Sequence, residues 1–150
     1  MTGGEKELMT EPTKPQHYKD LLIWQKGMLL AKLVYQVTQK FPSEERYGLT
    51  SQLRRAAVSV PSNIAEGQAR RGTTEFLQFL SIAEGSLAEL ETQLLLSTEL
   101  AYCKPADVES PLKEIDELQK MIGALKRKLA SFSSLSTRHS PLSPRSLGCH

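Results

Sequence analysis

Apolar side chains recur every three or four residues between residues 73 and 103, and this spacing constrains the fold more than any other feature of the chain. The period is that of an amphipathic α-helix. The main stripe consists of Phe76, Phe79, Leu80, Ala83, Leu87, Leu90 and Leu94. Further apolar residues lie off this stripe: Leu77, Ile82, Leu95, Leu96 and Leu100. A helix that is apolar on more than one side is either central in its domain or also faces another subunit.

Three more segments show the same period, over residues 18–40, 44–67 and 107–131. Short connectors separate the four predicted helices, and no segment shows the alternation of a β-strand. The sequence therefore predicts an all-α fold, an antiparallel up-down-up-down four-helix bundle.

The second predicted helix contains Pro61. A proline inside a helix removes one hydrogen bond and clashes with the carbonyl group four residues back, here that of Ala57. We expect a kink at Ala57–Pro61, with the freed backbone groups satisfied by nearby Ser59, Ser62 and Asn63. Candidate N-caps of the later helices are Ser43, Thr73 or Thr74, and Ser110 followed by Pro111.

Composition divides the chain into three parts. Residues 1–16 contain Gly, Pro and charged residues and are predicted to form a flexible N-terminal arm, and residues 133–150 are predicted to form a disordered Ser/Pro-rich tail. The folded unit is then 17–132. The chain shows no apolar run of the kind that makes a signal peptide or a membrane span, so we expect a cytoplasmic protein without membrane contact. Cys103 and Cys149 are expected to be reduced thiols.

The positions of the charged residues are more informative than the net charge of +2. Residues 44–71 contain five Arg against three Glu, which gives +2. Residues 72–104 contain one Lys against five Glu, which gives −4. Adjacent segments of opposite sign suit pairing between helices or between subunits as well as binding to nucleic acid.

Catalysis is not expected. His17, His139 and His150 lie at or near the ends of the chain, so no predicted helix carries a histidine that could serve as a general base or a metal ligand. No Cys/His cluster has the spacing of a metal site, and no Gly-rich phosphate loop follows a strand. We therefore expect a protein that is not an enzyme and has no cofactor.

Paired arginines are the candidate nucleic-acid-binding residues. Arg54 and Arg55 lie in the second helix, and Arg70 and Arg71 lie in the connector that follows it. One interpretation is that Arg54 or Arg55 pairs with a glutamate of the third helix. The other is that all four arginines contact phosphate groups. The connector arginines are the better phosphate candidates because water can reach a connector.

Two further features also leave alternatives open. The basic run Lys126, Arg127 and Lys128 could bind phosphate or could complement the negative end of the fourth helix dipole. Trp24 could belong to the core or could stack on a base, and its position on the apolar stripe favours the core.

Several motifs, taken together and in order, resemble a known family. They are Tyr18–Lys26 with Trp24 inside it, Phe41-Pro42, Tyr47–Leu49, Gln52–Ala56, Ser59–Gly67 (with Ser59, Pro61, Asn63, Glu66 and Gly67), Glu75-Phe76, Ala83–Leu87 with Gly85, and Glu89–Leu94. Over about 18–130 the chain is similar to the four-helix-bundle proteins called 23S rRNA-intervening-sequence proteins, also labelled S23 ribosomal proteins.

The resemblance implies a bacterial cytoplasmic protein that forms a ring-like homopentamer. The family is also similar in fold to the accessory variability protein of diversity-generating retroelements, which binds nucleic acid and a reverse transcriptase. Two hypotheses follow for this chain. The first is a homo-oligomeric module that binds nucleic acid, with RNA preferred. The second is a protein-interaction scaffold, such as an accessory subunit of a reverse transcriptase.

Overall fold

The computed structural model describes residues 17–137, apart from the side chains of residues 20 and 135–137. This part of the chain forms four helices and contains no strand. The helices are α1 Leu22–Thr38, α2 Leu49–Ala69, α3 Thr73–Glu99 and α4 Pro105–Thr137. Two short 3-10 turns, Tyr18–Asp20 and Ser43–Glu45, precede α1 and α2. The all-α prediction with four helices is confirmed.

Each helix contacts two others: α1 contacts α2 and α4, and α3 contacts α2 and α4. Within the described residues the diagonal pairs are not in contact, so the helices stand at the corners of a square. The side-chain contacts between α2 and α3 show that these two helices run in opposite directions. Ser59 meets Ser86 and Gln52 meets Gln93, so residue numbers fall along α2 as they rise along α3.

The core lies along the axis of this square and is mainly aliphatic. It consists of Ile23, Leu30, Val34, Phe41, Leu53, Ala56, Ala57, Val60, Ile64, Leu80, Ala83, Leu87, Leu90, Leu94, Val108, Ile115, Leu118 and Ile122. These residues follow the helical spacing from which the bundle was predicted, because only one face of each helix points to the axis.

Helix α2 begins at Leu49, later than predicted, and Ser43 is not its cap. The Glu45 carboxylate does the capping, since its Oε2 accepts a 2.8 Å hydrogen bond from the Leu49 backbone N–H. The same carboxylate accepts a 3.0 Å bond from the Tyr102 hydroxyl group through its other oxygen. One side chain therefore both starts α2 and ties it to the connector between α3 and α4.

Helix α3 begins at Thr73, as predicted, but its predicted cap and the predicted start of α4 differ from the structure. The residue before α3 is Gly72, and no side chain caps that helix. Helix α4 begins at Pro105, with the Asp107 carboxylate accepting a 2.8 Å hydrogen bond from the Lys104 N–H. The Ser110-Pro111 start is wrong, because Pro111 lies buried inside α4.

Helix α4 also continues to Thr137. Residues 133–137 therefore belong to a helix, and the prediction that the tail starts at 133 is wrong for them. The rest of that predicted tail and the predicted arm, residues 1–16, lie outside the described residues. None of the described helices combines the length and apolar content needed to cross a bilayer.

Pro61 is accommodated inside a continuous α2 and is buried. It packs against Gly27 of α1, where an added Cβ would stand 3.3 Å from the Pro61 Cβ. The Asn63 amide donates to the Ser59 carbonyl at 2.7 Å, not to the carbonyl of Ala57, so its predicted role there is wrong. The predicted kink at Ala57–Pro61 stays a prediction.

Candidate nucleic-acid interface

The predicted basic residues occupy two separate places. Arg54 and Arg55 lie near the start of α2, and Arg70 and Arg71 follow its end at Ala69. At a rise of 1.5 Å per residue, the two pairs are roughly 24 Å apart along the helix axis. They therefore belong to opposite ends of the bundle and cannot act as one small site.

Arg54 is bound to α1. Its Nε donates a 2.9 Å hydrogen bond to Thr38 Oγ1, and its guanidinium group lies 4.5 Å from the centroid of the Tyr35 ring. Arg54 is half-buried in this position. The predicted pairing of Arg54 with a glutamate of the third helix is wrong, because its partners are on α1. Arg54 holds α2 against α1 and has little freedom to reach a phosphate group.

Arg55 is exposed and lines an open pocket of about 510 Å³. Arg46 and Tyr47 line the same pocket, with the Arg46 guanidinium group 5.8 Å from the Tyr47 ring centroid. Tyr47 is 90% exposed. Sequence reasoning missed Arg46 and Tyr47 as site residues. Their position beside Arg55 depends on the turn between α1 and α2, which no sequence spacing reveals.

Arg70 and Arg71 lie at the opposite end of the bundle. Arg70 forms an ion pair with Glu66 at 3.1 Å, one helical turn back, and its guanidinium group lies 5.5 Å from the Phe79 ring centroid. Arg71 is exposed. Both arginines line a small pocket of about 60 Å³ that also includes Leu129 of α4.

The basic run of α4 directly precedes Leu129, so it lies at the same end of the bundle as Arg70 and Arg71. Lys126 is paired with Glu84 of α3 at 2.7 Å, whereas Arg127 and Lys128 are exposed. Because α4 continues to Thr137, the run is not in the last helical turn. The interpretation that it complements the helix dipole is therefore wrong.

We call this group of cations the basic end. It consists of Arg70, Arg71, Lys126, Arg127 and Lys128. Arg70 and Lys126 are partly neutralised by Glu66 and Glu84, and every member except Lys126 is exposed. Exposed guanidinium and ammonium groups gathered on one surface can neutralise several phosphate groups of a polyanion.

Several of the family-motif residues pack against the core or join neighbouring helices. Trp24 is half-buried against the core, and its ring lies 5.4 Å from that of Tyr18 in an edge-on arrangement. Ser59 and Ser86 share a 2.8 Å hydrogen bond that joins α2 to α3, and Asn63 donates to the Ser59 hydroxyl group at 2.8 Å. Gly67 lies against Phe79, where an added Cβ would stand 2.6 Å from the Phe79 Cβ.

Gly85 differs from these glycines. It lies on the exposed face of α3, and within the described part of the chain an added Cβ would find no atom of a neighbouring helix within 4 Å. The close approach that this glycine permits is therefore not used by any of the four described helices.

The described residues contain no group of three or more His, Cys, Asp or Glu side chains placed to hold a metal ion. The ionisable groups whose pKa is shifted lie outside the basic end. Hydrogen bonds to Glu117 and Glu114 raise the pKa of Lys26, which joins α1 to α4. Burial, with the nearby Asp107 charge, raises the pKa of the Cys103 thiol.

The arrangement of helices places this protein in the class of four-helix proteins, and comparison with known proteins gives the family. Residues 19–124 match the 23S rRNA-intervening sequence protein family, so the chain belongs to that family.

Among solved structures, the chain is similar to a protein of unknown function from the S23 ribosomal protein family of Bacteroides thetaiotaomicron VPI-5482. The two share 20% identity with a TM-score of 0.63, over 70% of this chain and 98% of the other. That likeness shows a common fold. No curated protein matches the chain.

Proposed function

We propose that this protein is a non-enzymatic, homo-oligomeric helical bundle that binds RNA through its basic end. The observation that carries this proposal is the pocket shared by Arg70, Arg71 and Leu129, because it brings the connector arginines and the basic run of α4 to one end of the bundle. The cations come from two distant parts of the sequence. Four of them are exposed.

Assembly into an oligomer would allow RNA binding even though each chain carries only a modest positive charge. A ring of copies, five by the resemblance to the family, presents one basic end per subunit. Binding at one end raises the effective concentration of the same RNA at the next. Weak phosphate contacts then add up to useful affinity without a deep pocket.

Arg54 and Arg55 are less suited to this role. Arg54 is held by Thr38 and Tyr35, and Arg55 lies at the other end of the bundle. RNA contact is accordingly assigned to Arg70, Arg71, Arg127 and Lys128, with Lys126 contributing charge. A role as a binding protein rather than an enzyme is supported by the sequences of the four described helices, since none of them contains a histidine.

A second candidate function is a protein-interaction scaffold, as in an accessory subunit of a reverse transcriptase. The exposed apolar residues of α3 favour it. Ile82, Leu95 and Leu96 are each about half exposed on a helix that carries five glutamates and no Lys or Arg. We place either activity in the cytoplasm.

Fluorescence anisotropy with a labelled single-stranded RNA tests the proposal. The double variant Arg70→Ala/Arg71→Ala is expected to bind at least tenfold more weakly than wild type, since each lost phosphate contact removes part of the electrostatic free energy. The matched control is Lys40→Ala/Lys113→Ala, which removes two exposed cations away from the basic end. Equal affinity of wild type and the arginine variant would refute the assignment.

A further inference from the structure

The outer face of α3 is exposed in the part of the chain that the structure describes. Ile82 and Leu96 are about half exposed there, with Gly85 and Glu89 between them. We call these four residues the α3 strip. A glycine in a helix interior lowers helix stability, so Gly85 is best explained by close approach of another backbone. The described part of this chain provides no such backbone.

A groove of complementary character lies between α1 and α2. Its upper part is apolar, with a volume of about 320 Å³. It is lined by Tyr18, Trp24, Met28, Ala31, Val58 and Ala65, among others. Val58 also lines the pocket that contains Arg46 and Arg55, so the two pockets adjoin each other, and we call them together the α1–α2 groove.

Charge favours the α3 strip of a second copy as the occupant of this groove. Helix α3 carries five glutamates and no Lys or Arg, whereas the described lining of the groove includes Arg46, Arg54 and Arg55 and no acidic residue. Two α3 strips facing each other would bring glutamates together, which is unfavourable. An α3 strip placed in an α1–α2 groove brings opposite charges together.

The dimensions also agree. Ile82 and Leu96 are roughly 21 Å apart along α3, and Ser51 and Ala65, at the two ends of the groove, are the same distance apart along α2. With Ile82 near the apolar part, Glu89 and Glu99 fall toward Arg55 and Arg46.

Building on the homo-oligomer proposed above, we infer that the α3 strip of one copy docks in the α1–α2 groove of the next. The two surfaces are different, so the contact is heterologous and repeats from copy to copy until a ring closes. The basic ends of all subunits then lie on the same side of the ring.

Sedimentation velocity of the full chain without RNA tests this docking. Wild type is expected to form an oligomer, and Glu89→Arg to sediment as a monomer. Adding Arg55→Glu to that variant restores an opposite-charge pair and is expected to restore the oligomer. The matched control is Glu109→Arg, the same charge change at an exposed position of α4, and it should assemble as wild type.

Gly85→Gln separates docking from folding. A Cβ at this exposed position meets no neighbouring helix of the described chain, so the unfolding midpoint should not fall, yet the oligomer should be lost. Trp24, the single tryptophan, gives a second readout, because its emission should shift to the red when dilution uncovers the groove.

A monomeric wild type, an assembled Glu89→Arg chain, or a Glu89→Arg/Arg55→Glu chain that stays monomeric would each overturn the docking. Arg70→Ala/Arg71→Ala is expected to assemble as wild type. Loss of RNA binding and loss of assembly are therefore measured on different variants.

Discussion

Gly67 lies so close to Phe79 that a Cβ added to the glycine would stand 2.6 Å from the Phe79 Cβ. The ring of Phe79 can rotate away, but its Cβ is fixed to the backbone of α3. The contact therefore sets the separation of α2 and α3 next to the connector that carries Arg70 and Arg71. The geometry of the basic end depends on this glycine.

Gly67→Ala is accordingly expected to destabilise the fold by about 1–3 kcal/mol, the usual range for an overpacked site. Urea unfolding at a dilution where the chain is monomeric measures this change. Gly85→Ala is the matched control, and it is expected to stabilise the monomer by up to about 1 kcal/mol through helix propensity alone. A Gly67→Ala chain as stable as wild type would contradict the contact.

Adjacent arginines of α2 are expected to respond differently to truncation. Arg54→Ala loses the hydrogen bond to Thr38 and the contact with the Tyr35 ring, and should cost about 1–2 kcal/mol of unfolding free energy. Arg55→Ala removes an exposed side chain and should change the monomer by less than about 0.5 kcal/mol. Chemical unfolding of the two variants checks this, and equal effects would show that Arg54 has no structural role.

The stabilisation from Lys26 is expected to depend on pH. Lys26 pairs with Glu117 at 2.6 Å and with Glu114 at 3.2 Å, and the hydrogen bond from Lys26 lowers the pKa of Glu117 below 4.5. A carboxyl group whose pKa is lowered in the folded state stabilises the fold at every pH above its ordinary pKa. This stabilisation is lost as the pH falls through the lowered pKa. The same hydrogen bonds raise the pKa of Lys26 above 10.5, so the lysine's contribution is lost only as the pH rises through that raised value.

Thermal unfolding of wild type and Lys26→Met should therefore show different midpoints near neutral pH. The two midpoints should converge below pH 4.5 as Glu117 becomes protonated. Lys120→Met is the control. Lys120 pairs with Asp116 within α4, one helical turn away, and both side chains are exposed. A difference between wild type and Lys26→Met that stays constant with pH would contradict the role of the pair.

The burial of Cys103 gives a chemical prediction. Because burial and Asp107 raise its pKa, less of the reactive thiolate is present at neutral pH. Alkylation at Cys103 should be slower in the folded chain than in urea, as followed by mass spectrometry of the modified peptide. Equal rates in the two conditions would show that the thiol is not protected by the fold.

The four helices could be predicted because apolar spacing is a local property of the sequence. The residues at which the helices begin and end were harder to predict from the sequence. Glu45 caps α2 from inside a 3-10 turn, and Pro105 rather than Pro111 begins α4. The first residue of each helix depends on which nearby side chain or turn satisfies the free backbone N–H groups, and the apolar spacing carries no information about this.

The candidate site was predictable only in part. The basic residues could be identified one by one, but the partners of Arg54 on α1 arise from packing between helices. The pairing of Lys126 with Glu84 likewise requires α3 and α4 to be neighbours. The surface formed by Arg46, Tyr47 and Arg55 is created by the turn before α2, so the sequence order alone did not reveal it.

The salt dependence of RNA binding tests the central claim most directly. If the basic end binds phosphate groups, the logarithm of the affinity falls linearly with the logarithm of salt concentration, by about 0.7 per phosphate contact on a single strand. Wild type should show a steep slope, and Arg70→Ala/Arg71→Ala a shallower one, with the Lys40→Ala/Lys113→Ala control unchanged. Binding that is absent, or that does not respond to salt, would contradict the account.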